Sequence, residues 1–181
     1  MGVTLRTIEE GDLEQIMHWR MDPDITRYMN TNPKLTLEGQ TKWLAGVRNN
    51  PDVRYWMILV DGQKAGVINL TGLTNPEGNL GWAYYVGEKK LRSIKTALAL
   101  EMSLYDYIFD ELGKEALYGD IFTLNQGVIK LHLLCGSEIV EEKKKHVYKE
   151  GVYYDVTFMR MTRQRWEEIR HTKKYEKIAF F

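Results

Sequence analysis

The 181-residue chain is poor in cysteine and proline, with one and four of them, and it carries no excess of either charge. A lone Cys135 cannot form a disulfide within the chain, so a disulfide scaffold is excluded and a reducing, cytoplasmic location is expected. Because Cys135 lies in an apolar segment, we expect a buried and inert thiol rather than a catalytic one.

The charge balance and the lack of long apolar runs exclude other classes of protein. Lysine plus arginine equals aspartate plus glutamate at 25 each, whereas a duplex-binding domain normally has a basic surplus. No apolar run approaches the roughly 20 residues of a membrane-spanning helix. The first residues, MGVTLRTIEEGDL, lack the basic and apolar blocks of a secretory signal. We therefore expect neither nucleic acid nor a membrane as a partner.

The chain has enough apolar residues for one compact domain. Its hydrophobic content is 44%, which suits a proper core at this length. No internal repeat, low-complexity segment or linker marks a second domain. We expect one domain over residues 1–170 and a C-terminal tail over residues 171–181, which either packs against the domain or remains mobile.

The spacing of apolar residues predicts an α/β (α+β) protein. Strands are expected in residues 3–8, in RYWMILV and KAGVINL around the Asp61-Gly62 turn, in NLGWAYYVG, in EALYGDIFTL, and in a closing hairpin that turns at Lys149-Glu150-Gly151. Helices are expected in GDLEQIMHWR with Asp12 as its cap, in MDPDITRYMN, in LTLEGQTKWLAGVRN, and over residues 97–112, ending at Gly113.

A further helix is predicted in NQGVIKLHLLCGS, residues 125–137. Its apolar face would consist of Val128, Ile129, Leu131 and Leu134, and Gly136 would close it in the left-handed conformation. Asn125 and His132 are then the polar groups that need an explanation. From the residues alone, an ordinary strand-to-helix connection with a packed or solvated histidine explains them.

The same segment resembles the last conserved block of the GNAT superfamily of acyl-CoA-dependent N-acyltransferases. Asn125, Val128, Leu131, His132 and Gly136 are in register with that block, and Ser137 stands where phenylalanine is usual. The resemblance extends over roughly the whole chain. It implies a single GNAT domain with a mixed sheet that splays open between its fourth and fifth strands to admit acetyl-CoA. It implies no metal.

The resemblance places the coenzyme A pyrophosphate at a strand-to-helix turn of the form Arg/Gln-x-x-Gly-x-Gly/Ala, where backbone N–H groups bind phosphate. The residues in register are Arg92, Ser93, Ile94, Lys95, Thr96 and Ala97. Lys95 replaces the first glycine, although its N–H can still donate and its ammonium could pair with phosphate. The alternative is a basic, solvated helix start. The resemblance also places Tyr85, Val86, Asn125 and His132 at the cofactor.

His132 occupies the position of the tyrosine that is proposed to protonate the departing thiolate in most GNAT enzymes. An imidazolium could do the same, or a neutral histidine could only position the sulfur. Backbone N–H groups near Tyr84 to Val86 would bind the attacked carbonyl. Asp120 is the nearest carboxylate for the amine proton. Because successive strand residues point to opposite faces, at most one of Tyr84 and Tyr85 is expected to face the cleft.

Three segments, WRMDPDITRYM, VIKLH and HVYKEGVYYDV, resemble the GNAT branch that acetylates nucleotide-linked 4-amino sugars, as in the pseudaminic acid pathway of flagellin glycosylation. That branch implies a UDP-linked 4-amino-4,6-dideoxy sugar as the small-molecule amine substrate. Arg20 and Arg27 would then pair with the diphosphate, and Trp19, Tyr28 and Met29 would contact the base or the sugar. Exposed helix charge and core packing are the alternatives.

Two other functions are compatible with the sequence. Ribosomal-protein N-terminal acetyltransferases share the N-terminal signature and the cofactor, and they acetylate peptides. A non-catalytic acyl-CoA-binding domain is suggested by Lys95 and by the missing tyrosine. The oligomeric state stays open between a monomer and a homodimer.

Overall fold

The computed structural model describes residues 2–181. The strands are β1 Val3–Thr7, β2 Val53–Val60, β3 Gln63–Thr71, β4 Asn79–Val86, β5 Ala116–Phe122, β6 Glu138–Lys149 and β7 Val152–Thr162. The helices are α1 Leu13–Met21, α2 Pro23–Thr26, α3 Leu37–Asn49, α4 Ile94–Asp106, α5 Gln126–Cys135 and α6 Arg163–Ile169. A π-helical turn, Tyr107–Glu111, continues α4.

Seven strands form one mixed sheet in the order β1-β2-β3-β4-β5-β7-β6. All neighbours are antiparallel except β4 and β5, which are parallel and pair only over residues 79–81 and 116–118. Beyond Gly81 and Tyr118 the two strands are no longer paired, and the sheet opens there. The predicted mixed sheet, with its splay between the fourth and fifth strands, is confirmed.

Both faces of the sheet are covered, which explains the almost continuous apolar run of β2. Trp56 and Ile58 join the core beneath α4. Met57, between them in sequence, points to the other face and joins the core formed with α1 and α3. Each fully buried side chain of this kind contributes roughly 1.5–3 kcal/mol to folding. The N-terminal helices and α4 are thus fixed on opposite sides of the sheet.

Two predicted hairpins are confirmed. Asp61 and Gly62 have φ of 50° and 76°, and Glu150 and Gly151 have φ of 50° and 82°. Two consecutive residues with positive φ give the turn that matches the twist of antiparallel strands. The closing hairpin is longer than predicted, because β6 begins at Glu138. Its first eight residues, EIVEEKKK, are mostly exposed at the sheet edge, so they lack the alternation that identifies a half-buried strand.

Asp12 does not cap α1 with its side chain, which corrects the prediction. Its carboxylate is 1% exposed and accepts from Arg6 at 2.6 and 2.8 Å, from the backbone N–H of Glu9 at 2.8 Å, and pairs with Lys64 at 2.7 Å. Burial by itself raises the pKa of Asp12, but these donors outweigh it and hold the pKa well below its usual range. The carboxylate joins β1 and β3 to the start of α1.

Helix α5 has the predicted position, and Gly136 closes it with φ of 101°. Its buried face differs from the prediction, because it consists of Ile129, His132 and Cys135, whereas Leu134 is 52% exposed. Cys135 is completely buried, as expected, and burial raises the pKa of its thiol far above the usual range.

The C-terminal tail packs against the domain. The Tyr175 hydroxyl donates to Asp106 at 2.5 Å, and the backbone N–H of Ile178 donates to Ser103 Oγ at 3.0 Å. Phe180 is buried, with its ring 5.2 Å from that of Trp56. Of the two expectations for the tail, the packed one is observed, while the domain boundary at residue 170 stays a prediction. Between residues 2 and 181, no helix is both long and apolar enough to cross a bilayer.

Candidate active site

A cavity of about 760 Å³ lies where β4 and β5 separate. Its walls come from residues 82–86 of β4 and 119–121 of β5, from the starts of α4 and α5, and from the region of α1 to α3. A second cavity of about 440 Å³ shares Arg92, Ser93 and Ala97 with the first and continues between α4 and α5. The splay of the sheet therefore produces one long cleft with the start of α4 in its wall.

The predicted phosphate-binding turn coincides with the start of α4. Ser93 is the N-cap residue, and its hydroxyl accepts from the backbone N–H of Thr96 at 3.0 Å. Arg92 Nε donates to the carbonyl of Val86 at 2.9 Å, so the end of β4 holds this guanidinium against both cavities. Ile94 and Ala97 also line the cleft, whereas Thr96 is buried behind it.

Lys95 does not contribute its side chain to the cleft. Its ammonium lies 3.1 Å from Glu176 in the C-terminal tail, and it lines neither cavity. The ammonium is therefore directed to the tail and away from the cleft. Because the side chain is directed to the tail, the lost glycine does not block the turn. The thirteen-residue helix α4 still presents its positive N-terminal end and Arg92 to the cleft, which fits the pyrophosphate of coenzyme A.

His132 lines the cavity and is held from behind by a carboxylate. The imidazole is 6% exposed, and its Nδ1 lies 2.8 Å from Oε2 of Glu101, which is completely buried on α4. The other oxygen of Glu101 accepts from the hydroxyl of Tyr105. The Trp82 ring lies 5.2 Å from the imidazole. With Nδ1 turned to Glu101, Nε2 is the nitrogen left for the cavity.

Glu101 was not predicted as a site residue. The available signal is the single charged residue inside the apolar run ALALEMSLY, residues 97–105, because a buried carboxylate requires a partner. That signal indicates that Glu101 is buried, but it does not identify the partner, because His132 lies 31 residues later on another helix.

Tyr84 and Tyr85 both line the cavity, so the expectation that at most one faces the cleft is wrong. They do point to opposite faces: Tyr84 stacks on Trp82 in the core beneath α4, and Tyr85 meets the edge of Trp19 on the other face. The cleft passes through the opened sheet and reaches both. Burial raises the pKa of Tyr84 and of Tyr85 well above the usual range, so both hydroxyls are hydrogen-bond donors at neutral pH and not bases.

Asp120 and Asn125 line the same cavity, and Asp120 is exposed in β5. Asp120 and His132 are thus presented to one space from different elements. Within the described residues, 2–181, no cluster of three His, Cys, Asp or Glu side chains could hold a metal ion.

Four of the five residues predicted to bind substrate line the cavity: Arg20, Arg27, Tyr28 and Met29. The Arg27 guanidinium lies 4.7 Å above the Tyr28 ring. Nε of Arg20 is buried and has no hydrogen-bond partner among residues 2–181. Asp24 also lines this region, but its carboxylate is paired with Lys89.

Trp19 is the exception among the predicted substrate-binding residues. It is buried in the core, its indole N–H donates to Glu88 at 3.0 Å, and its ring fills the space where a Cβ on residue 87 would lie. Gly87 is required there because the ring packs directly on the backbone. Trp19 therefore packs against Gly87 in the core, and its ring does not line the cavity.

The structure adds an aromatic pair that the sequence analysis missed. Trp43 of α3 and Tyr55 of β2 line the cavity and meet edge to face, with ring centroids 5.2 Å apart. Gln40 and Asn69 contribute amide groups to the same wall. Gln40 and Trp43 are three residues apart, so they share a face of α3. Helical spacing shows such a shared face but not which cavity it borders.

Comparison with known proteins agrees with this geometry. Residues 3–138 match the acetyltransferase (GNAT) domain. The chain therefore belongs to the GNAT acetyltransferase family, and it is an acetyl-CoA-dependent N-acetyltransferase, as predicted. The alternative of a non-catalytic domain is not supported.

Individual relatives are more distant. Acetyltransferase PseH of Campylobacter jejuni is 25% identical over 137 residues, which cover 76% of this chain and 83% of that protein. The prophage-derived uncharacterized N-acetyltransferase YokL of Bacillus subtilis is 22% identical over 92% of this chain and 93% of its own length. The spermidine N-acetyltransferase of Vibrio cholerae, solved in complex with CoA and spermine, has a TM-score of 0.84 at 18% identity over 91% of this chain and 98% of that one. At that identity the likeness shows the fold alone.

Proposed function

We propose that the enzyme transfers the acetyl group of acetyl-CoA to the primary amine of a nucleotide-linked amino sugar, of the UDP-4-amino-4,6-dideoxy type. The observation that carries this proposal is the pairing of arginines with aromatic rings in the cavity that also contains His132. Support comes from the segments that resemble the nucleotide amino-sugar branch and from the relatives named PseH.

The part of the cavity lined by Arg20, Arg27 and Tyr28, here called the acceptor region, has charges that favour an anionic substrate. Arg20 and Arg27 line it, while the carboxylate of Asp24 is neutralised by Lys89. The guanidinium groups of both arginines can form bidentate pairs with phosphate oxygens. A polyamine, which is a polycation, would instead need several unpaired carboxylates. The arginines therefore favour a diphosphate over spermidine, despite the fold shared with the Vibrio cholerae enzyme.

The aromatic side chains suit a base and a sugar ring. Tyr28, Trp43 and Tyr55 line the same region as the two arginines. Flat aromatic faces stack on nucleobases and pack against the apolar faces of sugars. A peptide N-terminus has neither of these groups. The combination of guanidinium and aromatic ring is what a nucleotide sugar would use.

The donor side would be held by the start of α4. We infer that the N–H groups of its first turn and the guanidinium of Arg92 hold the pyrophosphate, with Tyr85, Val86, Ser93, Ile94, Thr96, Ala97 and Asn125 around the coenzyme. When bound, acetyl-CoA supplies an activated acetyl thioester to the cleft. Residues 84–86 of β4 are paired with β3 but no longer with β5, so the backbone N–H groups among them that face the opened side are available to the attacked carbonyl. His132 would then protonate the departing sulfur.

The acceptor class is tested by release of free thiol in parallel assays. The acceptors are a UDP-4-amino-4,6-dideoxy sugar, the same amino sugar without UDP, spermidine, and peptides that begin with Ala or Ser. We expect the highest kcat/KM with the UDP sugar. Preferential acetylation of the peptides would replace this proposal with N-terminal acetylation of the ribosomal-protein type, and preference for spermidine would overturn the charge argument.

A further inference from the structure

Glu101 is a buried carboxylate beside His132, and the acetyl-transfer steps proposed above do not use it. It is completely buried within α4, where the effective cost of an ion is several kcal/mol unless hydrogen bonds compensate. Two side chains contact its carboxylate at hydrogen-bond distance: Nδ1 of His132 at 2.8 Å from Oε2, and the hydroxyl of Tyr105, which donates to Oε1. A purely apolar side chain would pack here without that cost.

The titratable side chains around Glu101 are His132, Tyr105, Cys135 and Tyr84, and its carboxylate is the group among them that accepts hydrogen bonds. Burial raises the pKa of Tyr105 and of Cys135 far above the usual range, so both keep their protons, and the Tyr105 hydroxyl donates to the carboxylate. Tyr84, on β4, faces the cluster and is likewise kept protonated by burial. Every contact thus directs hydrogens toward Glu101, and the imidazole of His132 is oriented by the same carboxylate.

We infer that Glu101 is a positioning residue for acetyl transfer, one that holds His132 with Nδ1 protonated and Nε2 presented to the cleft as a proton acceptor. The inference rests on the proposed role of His132, and it holds for any amine acceptor. In other enzymes too, a buried carboxylate that contacts one nitrogen of a catalytic histidine fixes the tautomer and the orientation of the imidazole.

With this orientation, Nε2 can accept the proton of the amine when the amide forms and can donate it to sulfur when the thioester breaks. As the N–C bond forms, the attacking nitrogen loses a proton to Nε2, and the carboxylate of Glu101 stabilises the resulting imidazolium. As the C–S bond breaks, Nε2 returns that proton to the departing sulfur. The amine becomes an amide, the thioester becomes a thiol, and no proton is gained or lost overall. Neutral Tyr84 and Tyr85 are then not needed as bases.

The first test is kinetic and compares Glu101→Gln with Glu111→Gln. The Glu101→Gln change keeps the size of the side chain but removes its charge, whereas Glu111 is exposed at the end of the π-helical turn that continues α4. With the best acceptor of the panel, Glu101→Gln should lower kcat by about 10²-fold or more, with KM for acetyl-CoA within about twofold. Glu111→Gln should change neither. An unchanged kcat in a folded Glu101→Gln variant would overturn the inference, whichever acceptor is preferred.

The second test needs neither a variant of Glu101 nor a substrate. The chain has four histidines, and loss of one signal in His132→Phe assigns the imidazole ¹⁵N resonances of His132. In the wild type, neutral His132 should carry its proton on Nδ1, and Nε2 should have the shift of an unprotonated nitrogen. A proton on Nε2, or an equal mixture of tautomers, would contradict the inference even if the kinetic variant failed to fold.

Discussion

The ammonium of Lys149 donates to the carbonyl of Met29 at 2.8 Å, so the closing hairpin holds the loop that follows α2. The same ammonium donates to the carbonyl of Thr26 at 2.5 Å, and its side chain is buried. Burial lowers the pKa of Lys149. The segment that carries Arg27 and Tyr28 is therefore positioned by a residue that lies 120 positions later in the chain.

Lys149→Met should weaken acceptor binding without affecting the donor. Methionine preserves much of the apolar volume but removes the donor that joins the carbonyls of Thr26 and Met29 to the hairpin, so the loop loses its fixed position. We expect KM for the acceptor to rise about tenfold, with KM for acetyl-CoA unchanged. The matched control is Lys144→Met, on the exposed part of β6. Equal acceptor KM values for the two variants would show that Lys149 does not organise this region.

Arg92 and Lys95 should differ sharply in their importance for the cofactor. Arg92 lines both cavities, whereas Lys95 pairs with Glu176 outside them. Titration calorimetry with acetyl-CoA should show a Kd about tenfold or more higher for Arg92→Gln, as for loss of a charge-assisted contact, and a change of less than about threefold for Lys95→Gln. A larger increase in Kd for Lys95→Gln than for Arg92→Gln would show instead that the Lys95 ammonium binds the pyrophosphate.

His132→Phe should lower kcat by roughly 10²- to 10⁴-fold, the range for loss of a general acid or base. It also removes the imidazole that contacts the buried carboxylate of Glu101, so a lower melting temperature is expected. His132→Tyr should recover part of the turnover, because a phenol can still donate a proton to sulfur. Binding of acetyl-CoA, measured separately, should be nearly unchanged in both variants. Wild-type turnover in a folded Phe variant would reduce His132 to a packing residue.

The sequence predicted the order of the elements, because that order follows from apolar periodicity and turn residues, whereas the place of the cleft followed from the resemblance to the GNAT family. Asp61-Gly62, Gly136 and the start of α4 are local signals that depend on a few adjacent residues. The splay followed from the resemblance, and the short β4–β5 pairing confirms it. Placement of His132 and Asp120 on one cavity depends on that same topology.

Contacts between distant segments were beyond the reach of the sequence. The ion pair of Lys95 with Glu176 could not be predicted, because the two residues are 81 positions apart in the chain. Asp12 looked like a helix cap because its partners, Arg6 and Lys64, are not marked by any spacing rule. The tyrosines were judged by strand alternation, which holds for a closed sheet and fails as a guide to exposure where the sheet is open.

The buried Asp12 makes stability depend on pH in a defined direction. Because the folded state holds the pKa of Asp12 below its unfolded value of about 4, its contribution is present above that pH and is lost as the pH falls toward the folded-state pKa. Asp12→Asn should therefore lower the free energy of unfolding by about 3 kcal/mol at pH 7, and by less at pH 3.5. Urea unfolding at the two pH values measures this difference. A penalty independent of pH would rule out the ion pairs as its cause.

The central claim is that the nucleotide part of the acceptor is bound by the arginine and aromatic lining. If so, remote binding energy orients the amine, and the UDP sugar should react far faster than the free sugar. The most direct measurement is the ratio of kcat/KM for these two acceptors in the wild type and in Arg20→Gln. We predict a ratio above about 10² in the wild type that falls at least tenfold in the variant, mainly through the UDP sugar. A wild-type ratio near one, or a ratio unchanged by Arg20→Gln, would contradict the account.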